Sequence, residues 1–289
     1  MGFFDSPHTL RKYLEERGLA LKKRFGQNFL IDPKIRKRIL ETLDLRPGEQ
    51  VWEIGPGLGS MTDLILGAGA ALRCFEIDHG FVRVLMERYG EYERFSIVPG
   101  DVVKTWKDFQ GEAPAKVFGN LPYSSGAALI GDFLEHRFFP GYWVFMIQKE
   151  VAQRMIASPG TTEYSSFSVL CQAFTRIQVL FDVPPIAFYP RPRVVSSLLR
   201  MVPNDSLQYA VDARVFATVV RAAFASRRKT LQNTLGAFLH TQGYSFRSVF
   251  ERAGIDPARR GETLSPEEFL RITRILKELE ETDTGGGSP

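Results

Sequence analysis

Four consecutive residues, Asn120-Leu121-Pro122-Tyr123, combine groups suited to a weakly nucleophilic amine. The nitrogen of an exocyclic amine on an aromatic ring has its lone pair delocalised into that ring. It attacks an electrophile well only when its two hydrogens are held so that the nitrogen is pyramidal. The amide oxygen of Asn120 and the main-chain carbonyl of Leu121 or Pro122 can accept those two hydrogens, so no strong general base is needed. Proline fixes the backbone beside the carbonyl, and Tyr123 offers an aromatic face on which an extruded base can stack. The catalytic candidates are therefore Asn120, Leu121, Pro122 and Tyr123.

A second group of residues reads as a cofactor site. Glu53-x-Gly55-x-Gly57-x-Gly59 follows a short apolar run and precedes a helical pattern. Glycines at such a strand-to-helix turn let a ligand approach the backbone closely. Glu76 closes the next apolar run, where a carboxylate can accept from both hydroxyls of a ribose. Asp101 closes the third, placed to reach an adenine amine. The glycine spacing departs from the dinucleotide fingerprint, and Glu53 would repel a pyrophosphate. A cofactor with a nucleoside, an ammonium group and no phosphates fits better, and S-adenosylmethionine is that cofactor. Farther on, Phe188 stands between Pro184-Pro185 and Pro190-x-Pro192, a rigid setting for the second wall of a base pocket.

These residues need a frame that gathers strand ends. Strands are expected at 50–54, 71–76, 95–99, 115–119 and 142–147, with helices between them, a helix starting at Asp32-Pro33 and another over 148–156. Strands separated by helices need crossover connections, hence a mostly parallel sheet covered on both faces. Further strands are expected at 176–183 and 196–202. The proline-rich stretch ending at Pro203-Asn204-Asp205-Ser206 reads as a linker into a smaller helical domain. Its helices are expected over 212–225, from about Thr230, and from a capping box at Ser265-Pro266-Glu267-Glu268. The fold class is thus α/β, a Rossmann-like S-adenosylmethionine methyltransferase sheet with a smaller C-terminal helical domain. The expected boundaries are 1–203 for the catalytic domain with its basic N-terminal segment, 204–281 for the helical domain and 282–289 for a glycine-rich disordered tail.

Composition narrows the function classes. With 44% hydrophobic and 24% charged residues over 289 positions, the chain is neither disordered nor fibrous. Cys74 and Cys171 are its only cysteines, too few for a disulfide scaffold, which favours a reduced, cytoplasmic setting. No apolar run approaches the roughly 18 residues of a membrane span. A loose myristoylation pattern at Met1-Gly2 and a sequon at Asn204-Asp205-Ser206 read as chance. The histidines His8, His79, His136 and His240 are scattered, so no metal site is expected. Net charge is only +4, but residues 1–38 and 187–229 each carry a surplus of six positive charges, which suggests a polyanion partner.

Taken in order, Arg24-Phe25-Gly26-Gln27-Asn28-Phe29-Leu30, Glu53-Ile54-Gly55-Pro56-Gly57, Gly119-Asn120-Leu121-Pro122-Tyr123, Gln148-Lys149-Glu150-Val151, the proline-flanked Phe188 and Arg227-Arg228-Lys229-Thr230 resemble the small-subunit ribosomal RNA adenine dimethyltransferase family, the bacterial KsgA type. The resemblance covers about residues 18–278. It implies that the Gln-Asn-Phe-Leu segment closes over the cofactor through Asn28 and Leu30. It implies that Gly55 contacts the methionine part, that Glu76 binds the ribose, Asp101 the adenine, and that Asn120 touches both cofactor and target amine; Gly57 is a further cofactor-binding candidate. Tyr123 and Phe188 correspond to the stacking aromatics. The family dimethylates two adjacent adenines in a hairpin near the 3′ end of the small-subunit (16S) RNA, on an assembling 30S particle; no membrane partner is implied, and a monomer is expected. Members usually have Asn-Ile-Ser after the motif tyrosine, where this chain has Ser124-Ser125-Gly126. Many have an acidic residue where this chain has Val195.

Two alternatives stand beside this reading. One is a methyltransferase for an adenine of the large-subunit RNA, but those usually carry Asn-Ile-Pro-Tyr and lack Gln-Lys-Glu-Val. The other is a non-catalytic ribosome-assembly or transcription factor on the same fold. Substrate phosphates are expected at Lys22, Lys23, Arg24, Arg221, Arg227, Arg228 and Lys229. If these segments make six or more phosphate contacts, affinity for RNA should fall roughly a thousandfold between about 50 and 200 mM salt. Filter binding across that range checks it, and a flat profile removes the case for the clusters.

Overall fold

The structure, a computed structural model, describes residue 4 and residues 6–22, 25–122, 125–204 and 211–285, with side chains to 281. Met1, Gly2, Lys23, Arg24, Tyr123, Ser124, Asp205, Ser206 and the tail from 286 lie outside the described residues.

Helix α1 (Pro7–Glu16) begins on Ser6, whose hydroxyl accepts from the Thr9 amide. The short strand β1 (Phe29–Leu30) follows, then α2 (Pro33–Leu43), started by Asp32 and a proline at its first turn. The repeating part comes next: β2 (Gln50–Ile54), α3 (Thr62–Gly67), β3 (Ala71–Glu76), α4 (His79–Tyr89), β4 (Phe95–Pro99), α5 (Val102–Thr105), β5 (Lys116–Asn120), α6 (Gly126–Glu135), β6 (Tyr142–Gln148) and α7 (Lys149–Met155). Then come α8 (Ser166–Phe174), β7 (Thr175–Val183), β8 (Phe188–Tyr189) and β9 (Ser196–Pro203). The chain ends in α9 (Ala213–Ala223), α10 (Leu235–Thr241), α11 (Phe246–Ala253) and α12 (Pro266–Gly285).

Seven strands form one sheet in the order β4-β3-β2-β5-β6-β9-β7. The five from β4 to β6 are parallel, and β9 runs antiparallel to β6. β2, β5 and β6 are buried almost without interruption, as strands covered on both faces must be. The chain winds outward from β2 through β3 to β4, then returns to the other side of β2 with β5. That reversal opens a crevice at the carboxyl ends of β2 and β5, where such sheets bind ligands. The separate pair β1–β8 is antiparallel, with Leu30 opposite Phe188 and Phe29 opposite Tyr189.

The structure divides into two compact units. One holds the described residues up to Ile130 with Phe139–Ala152 and Gln178–Val202; the other holds Gly131–Phe138, Gln153–Ile177 and the described residues from Pro203 onward. The sequence expects a single cut at 203, whereas these units interleave. The reason lies in the second unit's own core: Phe174 packs edge-on to Phe216 at 5.2 Å between ring centres, and the Tyr164 hydroxyl donates to the Leu264 carbonyl at 2.8 Å. Residues well before 203 thus supply that core. In the first unit, α1 buries Leu10 and Leu14 in a small apolar cluster with Phe4, Phe29, Leu58 and Phe81. Helix α12 continues to Gly285, into the stretch expected to be a tail, because the chain's terminal glycines begin only there. No helix among the described residues is long and apolar enough to cross a membrane.

At the start of α12 the Ser265 hydroxyl accepts from the Glu268 amide at 3.3 Å, and Glu268 accepts from the Ser265 amide at 2.8 Å. Ser265→Ala should cost about 1 kcal/mol, the usual worth of such a cap. Urea denaturation of wild type and variant measures it, and an unchanged midpoint would deny the cap its role.

Candidate functional site

At the carboxyl ends of β2 and β5 lies a cavity of about 350 Å³ lined by residues of the first unit only. That is the size of a small-molecule site. Its wall includes Asn28, Leu30, Gly55, Gly57, Glu76, Asp101, Asn120 and Pro122, brought together from five separate stretches of chain.

The turn after β2 forms the floor. Gly55 and Gly57 have φ of 67° and 59°, the left-handed region that residues with a Cβ rarely adopt. At Gly57 an added Cβ would also stand 2.9 Å from the Phe29 ring. Two hydrogen bonds hold this turn to β3: the Gly55 amide donates to the Phe75 carbonyl at 2.9 Å and the Gly57 amide donates to Glu76 Oε2 at 3.0 Å, while the Asp78 amide donates to Glu76 Oε1 at 2.8 Å and fixes that carboxyl from its own strand end. A carboxylate offers about four lone pairs, so Glu76 keeps capacity for further donors from the cavity.

Glu53 is a different kind of acid. It is 2% exposed and accepts from the Thr62 hydroxyl at 2.6 Å, with the Cys74 thiol at 3.7 Å. Its partners join the strand before the glycine turn to the helix after it, so it clamps the two ends of that turn. Burial pushes both Glu53 and Glu76 up to about 7. For Glu53 the Thr62 and Cys74 hydrogen bonds oppose the shift; for Glu76 the amides of Asp78 and Gly57 do. Asp101 caps α5 through the Val103 amide at 3.1 Å.

Asn120 ends β5 on the cavity wall, and its Nδ2 donates to the Asn28 carbonyl at 2.9 Å. The Pro122 carbonyl already accepts from the Ser125 amide at 3.2 Å and the Gly126 amide at 2.9 Å, as the first acceptor of α6. The Leu121 amide donates to the Met146 carbonyl at 3.0 Å, while no hydrogen bond reaches the Leu121 carbonyl among the described residues. Of the two carbonyls the sequence leaves open, Pro122's is taken within the chain and Leu121's has no partner among the described residues. Leu121 as a whole is buried, 1% exposed, and is not among the residues that line the cavity, whereas Pro122 is.

Other expected residues sit elsewhere. Phe188 is 3% exposed in β8, packed with Leu30 in the main apolar core, and is not part of the cavity wall. Its prolines hold it, but the strand pairing turns it into the core. Lys22 pairs with Asp78 at 3.0 Å beside the site. Arg221 pairs with Glu135 at 2.6 Å, and Arg227 donates to the Thr162 and Tyr164 carbonyls at 2.7 Å each. Arg228 and Lys229 are exposed, with no side-chain partner among the described residues. The Val195 carbonyl accepts from the Lys149 amide at 3.0 Å, a contact indifferent to side-chain identity. Sequence reasoning missed Gln27, Thr62 and Asp78. The Asp78-x-Gly80 spacing, a helix cap directly after Glu76, is the signal that marks Asp78.

A family model described as ribosomal RNA adenine dimethylase matches residues 18–278. The protein called "Ribosomal RNA small subunit methyltransferase A" in Treponema denticola is 38% identical over 282 residues, 96% of this chain and 96% of its own. The one so named in Aromatoleum aromaticum is 44% identical over 257 residues, 88% of this chain and 94% of its own. Among solved structures, a dimethyladenosine transferase from Plasmodium falciparum matches with a TM-score of 0.71 at 23% identity, over 86% of this chain and 96% of its own. The 23S rRNA methyltransferase ErmE matches with a TM-score of 0.60 at 23% identity, over 86% and 99%. These two structures share the fold.

The shifted carboxyls set a pH dependence. Between the ordinary 4.5 and about 7, Glu53 and Glu76 hold protons in the folded chain that the unfolded chain has released. Stability therefore falls as pH rises through that window. Glu53→Gln removes one of the two ionisations, so from about pH 5 to pH 8 wild type should lose roughly 3 kcal/mol more stability than the variant. Urea denaturation at both pH values measures this, and equal losses would contradict it.

Proposed function

Because the chain belongs to the ribosomal RNA adenine dimethylase family, we propose that it transfers methyl groups from S-adenosylmethionine to the exocyclic amines of two adjacent adenosines in the small-subunit RNA. The site of modification is a hairpin near the RNA's 3′ end, within an assembling 30S particle, and the protein works as a cytoplasmic monomer. The observation that carries this reading is the end of β5: an asparagine whose Nδ2 is taken by the Asn28 carbonyl, on a cavity wall shared with Glu76 and Asp101.

The residues suit the methyl donor. The cavity has the volume of a small-molecule site. Glu76 retains lone pairs for ribose hydroxyls, and Asp101 is the acceptor nearest in kind to an adenine amine. Gly55 and Gly57 present bare backbone, and Ile77, Phe81, Val102 and Val103 supply an apolar lining for a purine ring. When bound, S-adenosylmethionine supplies a methyl carbon made electrophilic by its sulfonium.

The chain's own part is positioning. Asn120 Oδ1 and the Leu121 carbonyl each accept one hydrogen of the target amine, which turns the nitrogen's lone pair out of conjugation. Alkylation leaves the nitrogen positively charged and strongly acidic, so it gives up one hydrogen as a proton to solvent without a dedicated strong base. Glu53, through Thr62, keeps the glycine turn in place under the donor. Tyr123 stacks the extruded base. Arg228 and Lys229, whose side chains have no partner among the described residues, are the first candidates for phosphate contact, since Arg221 and Arg227 already bind within the protein.

Asn120→Ala should lower methyl transfer to 30S particles about a hundredfold or more while calorimetry still detects S-adenosylmethionine binding. Isolated 50S particles, offered in parallel, should stay unmethylated. Full activity in the variant, or methylation of 50S particles alone, would defeat the reading.

A further inference from the structure

The Asn28 carbonyl can only accept a hydrogen bond. The Asn120 amide must therefore meet it with Nδ2, as it does at 2.9 Å, and that leaves Oδ1 as the end available to the cavity. Which way Asn120 faces is thus set by a backbone group from the N-terminal part of the chain. That group is itself held in place. The Asn28 side chain donates to the Gly26 carbonyl at 3.0 Å. Gln27, between them, accepts from the Lys22 amide at 2.7 Å and donates to Asp78 Oδ2 at 3.1 Å. The Lys22 ammonium reaches the same oxygen at 3.0 Å.

Asp78 is a firm anchor. Its carboxylate is 4% exposed and its Oδ1 caps α4 through the Gly80 amide at 2.9 Å. Burial opposes its ionisation, but hydrogen bonds from Lys22, the Gly80 amide and Gln27 outweigh that and hold its carboxyl below the usual carboxylate range. Its own amide donates to Glu76. One side of this acid thus touches the ribose candidate and the other ties down the segment that aims Asn120.

Building on the proposed methyl transfer, we infer that Gln27 and Asp78 are positioning residues for Asn120: they latch the backbone at Asn28 so that the amide oxygen, and not the amide nitrogen, is presented to the target amine. Neither residue touches the reacting atoms. If the segment merely covered the donor, loosening it would weaken donor binding and nothing else. If it also aims Asn120, the rate at saturating donor falls too.

Gln27→Ala and Asp78→Asn test this in the full-length chain. Gln27→Ala leaves the α4 cap intact, so it remains informative even where Asp78→Asn lowers stability. The first measurement needs no cofactor: hydrogen exchange of the Asn120 side-chain amide by NMR, its signal identified by its loss in Asn120→Ala. Exchange should be at least about tenfold faster in both variants than in wild type. The second is single-turnover methyl transfer to 30S particles at saturating S-adenosylmethionine, which should slow about tenfold. Unchanged Asn120 exchange, or variant rates that return to wild type once the donor saturates, would overturn the inference. Should wild type itself transfer no methyl group, the functional reading fails, and the exchange comparison still decides the latch.

Discussion

A main-chain carbonyl cannot donate a hydrogen bond, and much of this site follows from that asymmetry. At the end of β5 the Pro122 carbonyl is consumed in starting α6 and the Asn28 carbonyl in receiving Asn120. Among the described residues, the Leu121 carbonyl and the oxygen of the Asn120 amide receive no hydrogen bond. Two acceptors and no donor are what a flat amine with two hydrogens requires, and they are a poor match for a carbonyl or a hydroxyl-free ring. The chemistry is decided less by an unusual side chain than by which backbone groups the fold has already used.

The sheet makes this possible by reversing direction between β2 and β5. The glycine turn after β2 and Asn120 after β5 come side by side, close enough that a Cβ on Gly55 would sit 4.0 Å from the Asn120 carbonyl. Around them two buried glutamates divide the work by their partners. Glu53 faces a hydroxyl and a thiol and fastens the turn. Glu76 faces amides that order the turn while leaving it able to accept from a ligand. Both lie in surroundings that favour the neutral form, so donors arriving in the cavity would offset part of the cost of their charge.

The strand ends were legible because the physical signals are local: a short apolar run, a glycine or an acid at its end, a helical pattern after it. Glu53, Glu76, Asp101 and Asn120 all fall at such points. The capping box at Ser265 was legible for the same reason. What the sequence hid depends on contacts between distant residues. The choice between the Leu121 and Pro122 carbonyls needed the start of α6. The burial of Phe188 needed its pairing with Leu30, and the antiparallel course of β9 needed its register on β6. Residues 153–177 read as part of the first domain until Phe174 met Phe216. The basic residues misled most simply: charge alone does not reveal that Arg227 spends its donors on Thr162 and Tyr164.

The most direct trial of the account is a crystal structure with S-adenosylmethionine's demethylated product and an adenine nucleotide bound together. The account predicts the adenine's exocyclic nitrogen about 3 Å from both Asn120 Oδ1 and the Leu121 carbonyl. An Asn120 amide flipped to present Nδ2, or an adenine held by other groups with the Leu121 carbonyl unused, would contradict it.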